Sequence, residues 1–192
     1  MSRYKDLSDI DLLRQISKYD SRALEELYER YSPLLYTLIK KISSDENTAN
    51  AILVEVFVIV WRKVDKFDFN GGNVFTWMVT LARNRAVDTV RRTRSSSEPL
   101  ENYNDEYENS HILPILDKKI DSMDLETAMN IKPKMEAALE RLTDAQKFVI
   151  HLAYYEGYYL DEVSVRLKVP VETVRLKILT ALNNLKDFLI GK

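Results

Sequence analysis

Between positions 83 and 94 the chain places five arginines, Arg83, Arg85, Arg91, Arg92 and Arg94, against one acid, Asp88. Cations at this density suit a polyanion, and nucleic acid is the commonest one. A plainer reading exists, since basic residues near a helix C-terminus complement the helix macrodipole. That accounts for two or three arginines, not five. The element that must position them is the stretch 74–94, read at helical period. Val74, Trp77, Met78, Leu81, Ala82, Arg85 or Ala86, and Val90 follow the three-four spacing of a buried stripe. Arg83, Asn84, Val87, Asp88, Arg91 and Arg94 lie off that stripe and are expected to face outward.

The segment just before, 65–73, reads as a loop, with Gly71-Gly72 permitting positive φ. It carries Phe67 and Phe69 between polar groups. The two rings either anchor the loop to the core or stack on unpaired bases; from residue types alone, anchoring is the better reading.

Three further helices precede this loop in the pattern. Ser8 caps the first, over 8–18, with Asp11 at capping-box spacing and Ile10, Leu13 and Ile16 or Ser17 inward. The second starts at Asp20 or Ser21, with Ala23, Leu24, Leu27, Tyr28 and Tyr31 inward. Pro33 interrupts or kinks it, and Leu34, Leu35, Leu38, Ile39 and Ile42 resume the pattern. The third, 46–64, is apolar on nearly every side. Its β-branched content also fits a buried strand, but its length and lack of internal turn signals favour a helix. A helix so apolar is expected to meet a partner outside its own domain.

Composition bounds the rest. The 192 residues suffice for one large domain or two small ones, and a 45% hydrophobic content supports a packed core. Only four Gly and five Pro argue against a turn-rich β-protein. With no Cys there are neither disulfides nor thiolate metal sites. No apolar run approaches the ~18 residues of a bilayer span, and residues 1–11 are too polar for a secretory signal peptide. The expectation is a cytoplasmic protein without membrane insertion. Net charge is only −2, yet it is unevenly spread. Residues 1–94 carry a net +3, residues 95–132 a net −6, and residues 133–192 a net +1. Two mildly basic segments thus flank an acidic one, which Pro99 and Pro114 break and Pro133 ends. The segment 95–132 reads as a linker with a short helix or two near 112–129.

Beyond the linker, helices are expected over 134–141, over 146–155 with Gly157 as its C-terminal cap signal, and over 160–167. A tight connection, Lys168-Val169-Pro170, leads to a last helix over 171–189. There Val174, Ile178, Ala181, Leu182, Leu185 and Leu189 are expected inward. A short helix, a three-residue turn and a longer helix make a helix-turn-helix, whose second helix enters a major groove by its N-terminal residues. The exposed candidates are Glu172, Thr173, Arg175, Leu176 and Lys177. The expected fold is all-α: two helical domains, 1–94 and 133–192, joined by the acidic linker.

Four stretches together resemble an RNA polymerase sigma factor of the extracytoplasmic-function type. Residues 20–31, DSRALEELYERY, resemble the family's opening helix. Glu55-Val56-Phe57 followed by Trp61-Arg62-Lys63 resembles its core-binding helix. Phe75-Thr76-Trp77, Leu81-Ala82-Arg83-Asn84, Asp88 and Arg91-Arg92 resemble its promoter-melting helix. Leu142-Thr143, Gln146, Tyr155-Glu156-Gly157, Glu162-Val163, Pro170 and Thr173-Val174-Arg175 resemble its second domain. The resemblance implies a non-catalytic initiation subunit without cofactor or metal. Its partners would be core RNA polymerase and promoter DNA, with an anti-sigma factor as a further candidate. It implies −10 contacts from Phe67, Asp68, Asn70, Arg83, Asn84, Asp88 and Arg91. It implies −35 contacts from Pro170, Glu172, Thr173, Arg175, Leu176 and Lys177. Polymerase would meet Asn50, Val54, Glu55, Phe57, Val58 and Arg62.

The sequence also departs from that pattern. Thr48, Asn50, Ala51 and Val54 stand where the family carries acids and a Gln. Tyr159 stands at a small capping residue's place, and Lys168 and Glu172 at Gly-like ones. Leu176, Leu179 and Thr180 fill places that are usually polar or basic. A weaker or differently specified −35 reading is expected. Two rival readings remain. An enzyme has little support: His111 and His151 are the only histidines, and Asp161-Glu162 and Asp121/Asp124 lack ligand partners at metal spacing. The other rival is a sigma-like adaptor that binds polymerase or a regulator without recognising promoters.

Overall fold

Aspartate and serine side chains start the helices of this chain. Ser8 opens α1 (Asp9–Ile16) by accepting the Asp11 N–H at 3.2 Å. Asp20 opens α2 (Ser21–Ser43), accepting from Arg22 N at 3.0 Å and Ala23 N at 3.4 Å. Asp45 opens α3 (Glu46–Lys63) through Thr48 N at 2.7 Å. Asn73 starts α4 (Val74–Ser95), its Oδ1 accepting from Thr76 N at 2.8 Å. Each cap satisfies amides that the first helical turn leaves unpaired. The computed structural model describes residues 4–95 and 122–190. Every regular element among the described residues is helical, and the chain divides into two compact units, Met1–Val90 and Arg91–Lys192.

In the first unit, α1, α2 and α3 pack on one another. Leu12, Leu13, Leu27, Tyr31, Leu35, Ile39, Val56 and Val60 are fully enclosed. Leu12 takes the inward place expected of Ile10, which is half-buried. Tyr28 also differs from expectation: it is 43% exposed and lies over the Phe57 ring at 4.8 Å. Pro33 does not interrupt α2. It sits on the exposed side, so only a solvent-facing bond is lost, while buried Tyr31 and Leu35 hold the helix on either side.

Arg30 ties the N-terminal segment to α2. Its guanidinium donates to Glu26, Asp9 and the carbonyls of Tyr4, Lys5 and Leu7, at 2.8–3.1 Å. Burial pulls the Arg30 pKa down, but its bonds to Glu26 and Asp9 outweigh this and hold it above the ordinary value. α3 is one unbroken helix, and a 3₁₀ turn (Val64–Lys66) carries the chain on to the loop before α4.

The second unit holds α5 (Leu125–Asn130), α6 (Lys132–Glu140) and α7 (Asp144–Ile150). A wide π-type turn (His151–Tyr155) follows, then α8 (Leu160–Leu167) and α9 (Val171–Ile190). Most of the expected linker, residues 96–121, lies outside the described residues, as do His111 and Asp121. Its end is helical, since α5 and the start of α6 fall within 122–132. Pro133 stands in the first turn of α6, where a missing N–H costs nothing. α7 starts at Asp144, two residues earlier than its pattern predicts, because Thr143 and Gln146 close a reciprocal capping box. α9 is the spine. Val174, Ile178 and Leu182 pack with Val149, Leu152 and Val163, while Ala181 and Leu185 pack with Ala138 and Leu142.

Asp20, Asp45 and Asp124 are all held below the usual carboxylate range. The largest cause is a side-chain hydrogen bond in each case, from Tyr4, Thr48 and Thr127 respectively. A carboxylate pKa depressed by folding stabilises the fold above its unfolded value and stops doing so as pH falls through the folded one. The fold is therefore expected to keep this contribution at neutral pH and lose it progressively below about pH 4. Asp45→Asn should flatten that acid limb in urea unfolding measured across pH. A second expectation concerns Lys168, which ends α8 with φ 54° and ψ 43°. A side chain in this left-handed region is disfavoured relative to Gly, so Lys168→Gly should stabilise the second unit by about 0.5–1 kcal/mol in thermal or urea unfolding.

Candidate nucleic-acid interface

The loop before α4 is built around Asp68. Its Oδ1 accepts the Asn70 N–H at 2.9 Å, and its carbonyl accepts the Gly72 N–H at 2.7 Å. This is an Asx-type turn, the local bond that Asp makes when no ladder competes for its side chain. Phe67 lies beneath it, 5% exposed, with Phe69 edge-on at 5.2 Å and Trp77 at 5.3 Å. Of the two readings of the rings, anchoring holds for Phe67: a buried ring offers no face to a base. Asp68 and Asn70 are exposed and Phe69 is half-buried. The backbone passes so close at Gly72 that an added Cβ would meet the Asp68 carbonyl oxygen at 2.5 Å and the Phe67 ring at 2.9 Å. The sequence offered Gly72 as a source of positive φ. Its role is close approach.

The expected outward face of α4 needs correction. Every residue from Leu81 to Val87 is buried, including Arg83 at 8%, Asn84 at 1% and Val87 at 1% exposure. Two-faced periodicity fails where a helix is covered all round. Some of the polar groups inside are paired. Arg83 donates to Asn84 Oδ1 at 3.1 Å, and Arg85 forms an ion pair with Glu55 of α3. The Asn84 Nδ2 has no hydrogen-bond partner among the described residues. Trp77 is only half-buried, and Asp88 and Arg91 are half-buried further along the helix.

α3 presents a mixed outer row. Asn50, Ala51, Val54, Val58 and Arg62 are exposed, with Val54 at 60% and Val58 at 39%. Phe57, expected at a contact surface, is buried at 6% under Tyr28, and Glu55 is engaged by Arg85. Phe57 is thus packed beneath the row, while the Glu55 side chain stays half-exposed beside it. The apolar character of the sequence here does leave exposed valines, as expected.

In the second unit the helix-turn-helix is closed by short bonds. Ser164 Oγ donates to the Val169 carbonyl at 2.6 Å, and Val169 N returns to the Ser164 carbonyl at 3.2 Å. Tyr159 cannot cap α8 with its phenol, but Glu162 accepts the Tyr159 N–H at 2.6 Å and supplies half of a capping box. Pro170, Glu172, Thr173, Arg175, Leu176 and Lys177 are all exposed at the start of α9, with Arg175 ion-paired to Glu172 at 3.3 Å. Leu179, one turn on, is 40% exposed. His151 is half-exposed and sits 3.2 Å from Glu156. Among the described residues no group of three or more His, Cys, Asp or Glu could hold a metal ion, and no helix is long and apolar enough to cross a membrane.

Comparison with known proteins follows the same two units. The family described as Sigma-70 region 2 matches residues 27–96, and that described as Sigma-70, region 4 matches residues 138–187. The chain is 31% identical over 183 residues to the ECF RNA polymerase sigma factor SigK of Mycobacterium bovis (strain BCG / Pasteur 1173P2), covering 95% of this chain and 94% of that one. It is 30% identical to SigK of Mycobacterium sp. (strain JLS), covering 95% and 91%. Among solved structures, Rhodobacter sphaeroides SigE in complex with the anti-sigma ChrR is similar at 25% identity and a TM-score of 0.47, covering 97% of this chain and 99% of that one. CnrH in complex with the cytosolic domain of CnrY is similar at 20% identity and a TM-score of 0.41, covering 96% and 98%.

The close approach at Gly72 generates a test. Gly72→Ala should force the loop off Asp68 and Phe67 and cost about 1–3 kcal/mol in urea unfolding. Gly71→Ala meets only a carboxylate oxygen at 3.1 Å and should cost much less.

Proposed function

The chain belongs to the family of extracytoplasmic-function RNA polymerase sigma factors, and on that premise we propose how its two units divide the work. As a member of the family it directs core RNA polymerase to promoters. The first unit docks on polymerase by the outer row of α3, Asn50, Ala51, Val54, Val58 and Arg62, with the half-exposed Glu55 beside that row and Phe57 packed beneath it. It opens the −10 element at the 67–73 loop. Extruding a base costs a few kcal/mol, which hydrogen bonds from the loop's polar groups would repay. The exposed Asp68 and Asn70 supply those groups; Phe67, buried beneath the turn, supports them without touching the base. We assign the half-buried Asp88 and Arg91, further along α4, to the displaced strand, while the enclosed Arg83 and Asn84 belong to the packing of the helix that carries them.

The second unit reads the −35 element as duplex, with the N-terminal turn of α9 in the major groove. Thr173 and Leu176 face base edges, Arg175 and Lys177 face phosphates, and Pro170 and Glu172 set the helix start. The acidic stretch between the two matched regions is the tether, and the chain lends no chemistry of its own. It works in the cytoplasm, where its polymerase is. The observation that carries the proposal is the presence, in one chain and in order, of the matches to Sigma-70 region 2 and Sigma-70 region 4.

Reconstitution with the cognate core polymerase and mapping of RNA start sites tests it. A specific start site that requires this chain is the expected result. Polymerase binding without any such start would instead mark a sigma-like adaptor. Asn70→Ala should lower open-complex formation at least tenfold, read by permanganate reactivity, and leave core binding unchanged. Lys177→Ala should reduce the slope of log affinity against log salt by about one unit.

A further inference from the structure

α9 turns one line of residues to the core: Val174, Ile178, Ala181, Leu182 and Leu185. At 3.6 residues per turn, the direction opposite that line falls within about 20° of Leu176. Leu176 is 56% exposed. Its neighbours Arg175 and Lys177 leave the helix about 100° to either side, and both are exposed. The part of the helix that would sit deepest in a groove is therefore a branched aliphatic tip, with a cation on each flank.

We infer that Leu176 reads the C5-methyl group of a thymine in the duplex bound by the second unit, so that the upstream promoter element is specified at that step by a methyl contact. This inference rests on the duplex-reading role proposed above. The major groove offers one apolar group among its donors and acceptors, the thymine methyl, and an aliphatic side chain can distinguish a base pair only by that group. Charge complementarity fixes the occupant as DNA. Arg175 and Lys177 lie where the two phosphate walls of a groove would run, and cations on both sides of a leucine favour a polyanion over an apolar protein groove. The ion pair of Arg175 with Glu172, at 3.3 Å, holds the guanidinium at the helix edge and out of the centre.

The test uses holoenzyme made from the full chain and its cognate core polymerase. A pool of duplexes randomised upstream of a fixed start region is selected for binding. In the winning duplex, each upstream thymine is then replaced in turn by deoxyuridine, which removes the methyl and nothing else. At one position the swap should weaken binding by about fourfold, the value of one buried methyl group. Leu176→Ala should bind the thymine duplex about as weakly as the wild type binds the deoxyuridine duplex, and should no longer tell the two apart. Because Leu176 is exposed, the variant is expected to melt as the wild type does. Leu176→Gln, which offers an amide in place of the methyls, should shift the preference at that position toward adenine. Swaps that change nothing at any thymine, or a methyl effect that persists in Leu176→Ala, overturn the inference and leave duplex reading intact. Failure of the holoenzyme to select any upstream sequence overturns both.

Discussion

A charged helix cannot run through a protein interior unless each charge inside finds a partner. α4 carries Arg83 and Arg85 along seven consecutive buried residues. The ion pair of Arg85 with Glu55 meets that constraint and fixes α4 to α3. Removing one partner from such a pair leaves an uncompensated charge and is far more costly than never having built it. The pair also sets what each neighbour can do. Glu55 pairs with Arg85 while its side chain stays half-exposed, beside the exposed row of α3, Asn50, Ala51, Val54, Val58 and Arg62. With α4 anchored by its middle, the loop at its start is held over Phe67 and Trp77 and keeps one shape.

The loop before α4 is organised by very few groups. Asp68 organises it by its own carboxylate and carbonyl. Gly72 lets the backbone pass within van der Waals limits of both Asp68 and the Phe67 ring. The packed parts are thus the Phe67 ring and the turn, and the side chains of Asp68 and Asn70 are exposed above them. Loops held this way on a packed scaffold carry recognition more often than the scaffold does.

The second unit solves the same problem with less. Its core is α9 packed on short helices, and its turn is closed by Ser164, Val169 and a lysine in a conformation that favours glycine. A residue that costs stability at a tight turn is tolerated because the helices on both sides are fixed by Val163 and Val174. The exposed face of α9 is then free of structural duty. Leu176, Leu179, Arg175 and Lys177 are exposed along it.

The sequence alone determined the helical class, the order of the elements and most of their ends. Period, caps and the Gly157 stop are local signals, and local signals survive in any tertiary context. Ser8 and Asp20 start their helices where the pattern places them, and α3 begins at Glu46 as its pattern does. The family resemblance was legible for the same reason, because it rests on order and spacing. What the sequence could not decide was orientation on a helix enclosed from several sides. Arg83 and Asn84 read as outward because periodicity assumes one core face, and α4 does not have one. Phe57 and Phe67 were legible as aromatic, but whether a ring is floor or contact depends on what lies over it, here Tyr28 and the Gly72 turn. Leu176 was visible as an odd residue. Its exposure followed from the inward spacing of Val174 and Ile178, and the packing of α9 has both of them buried and Leu176 exposed.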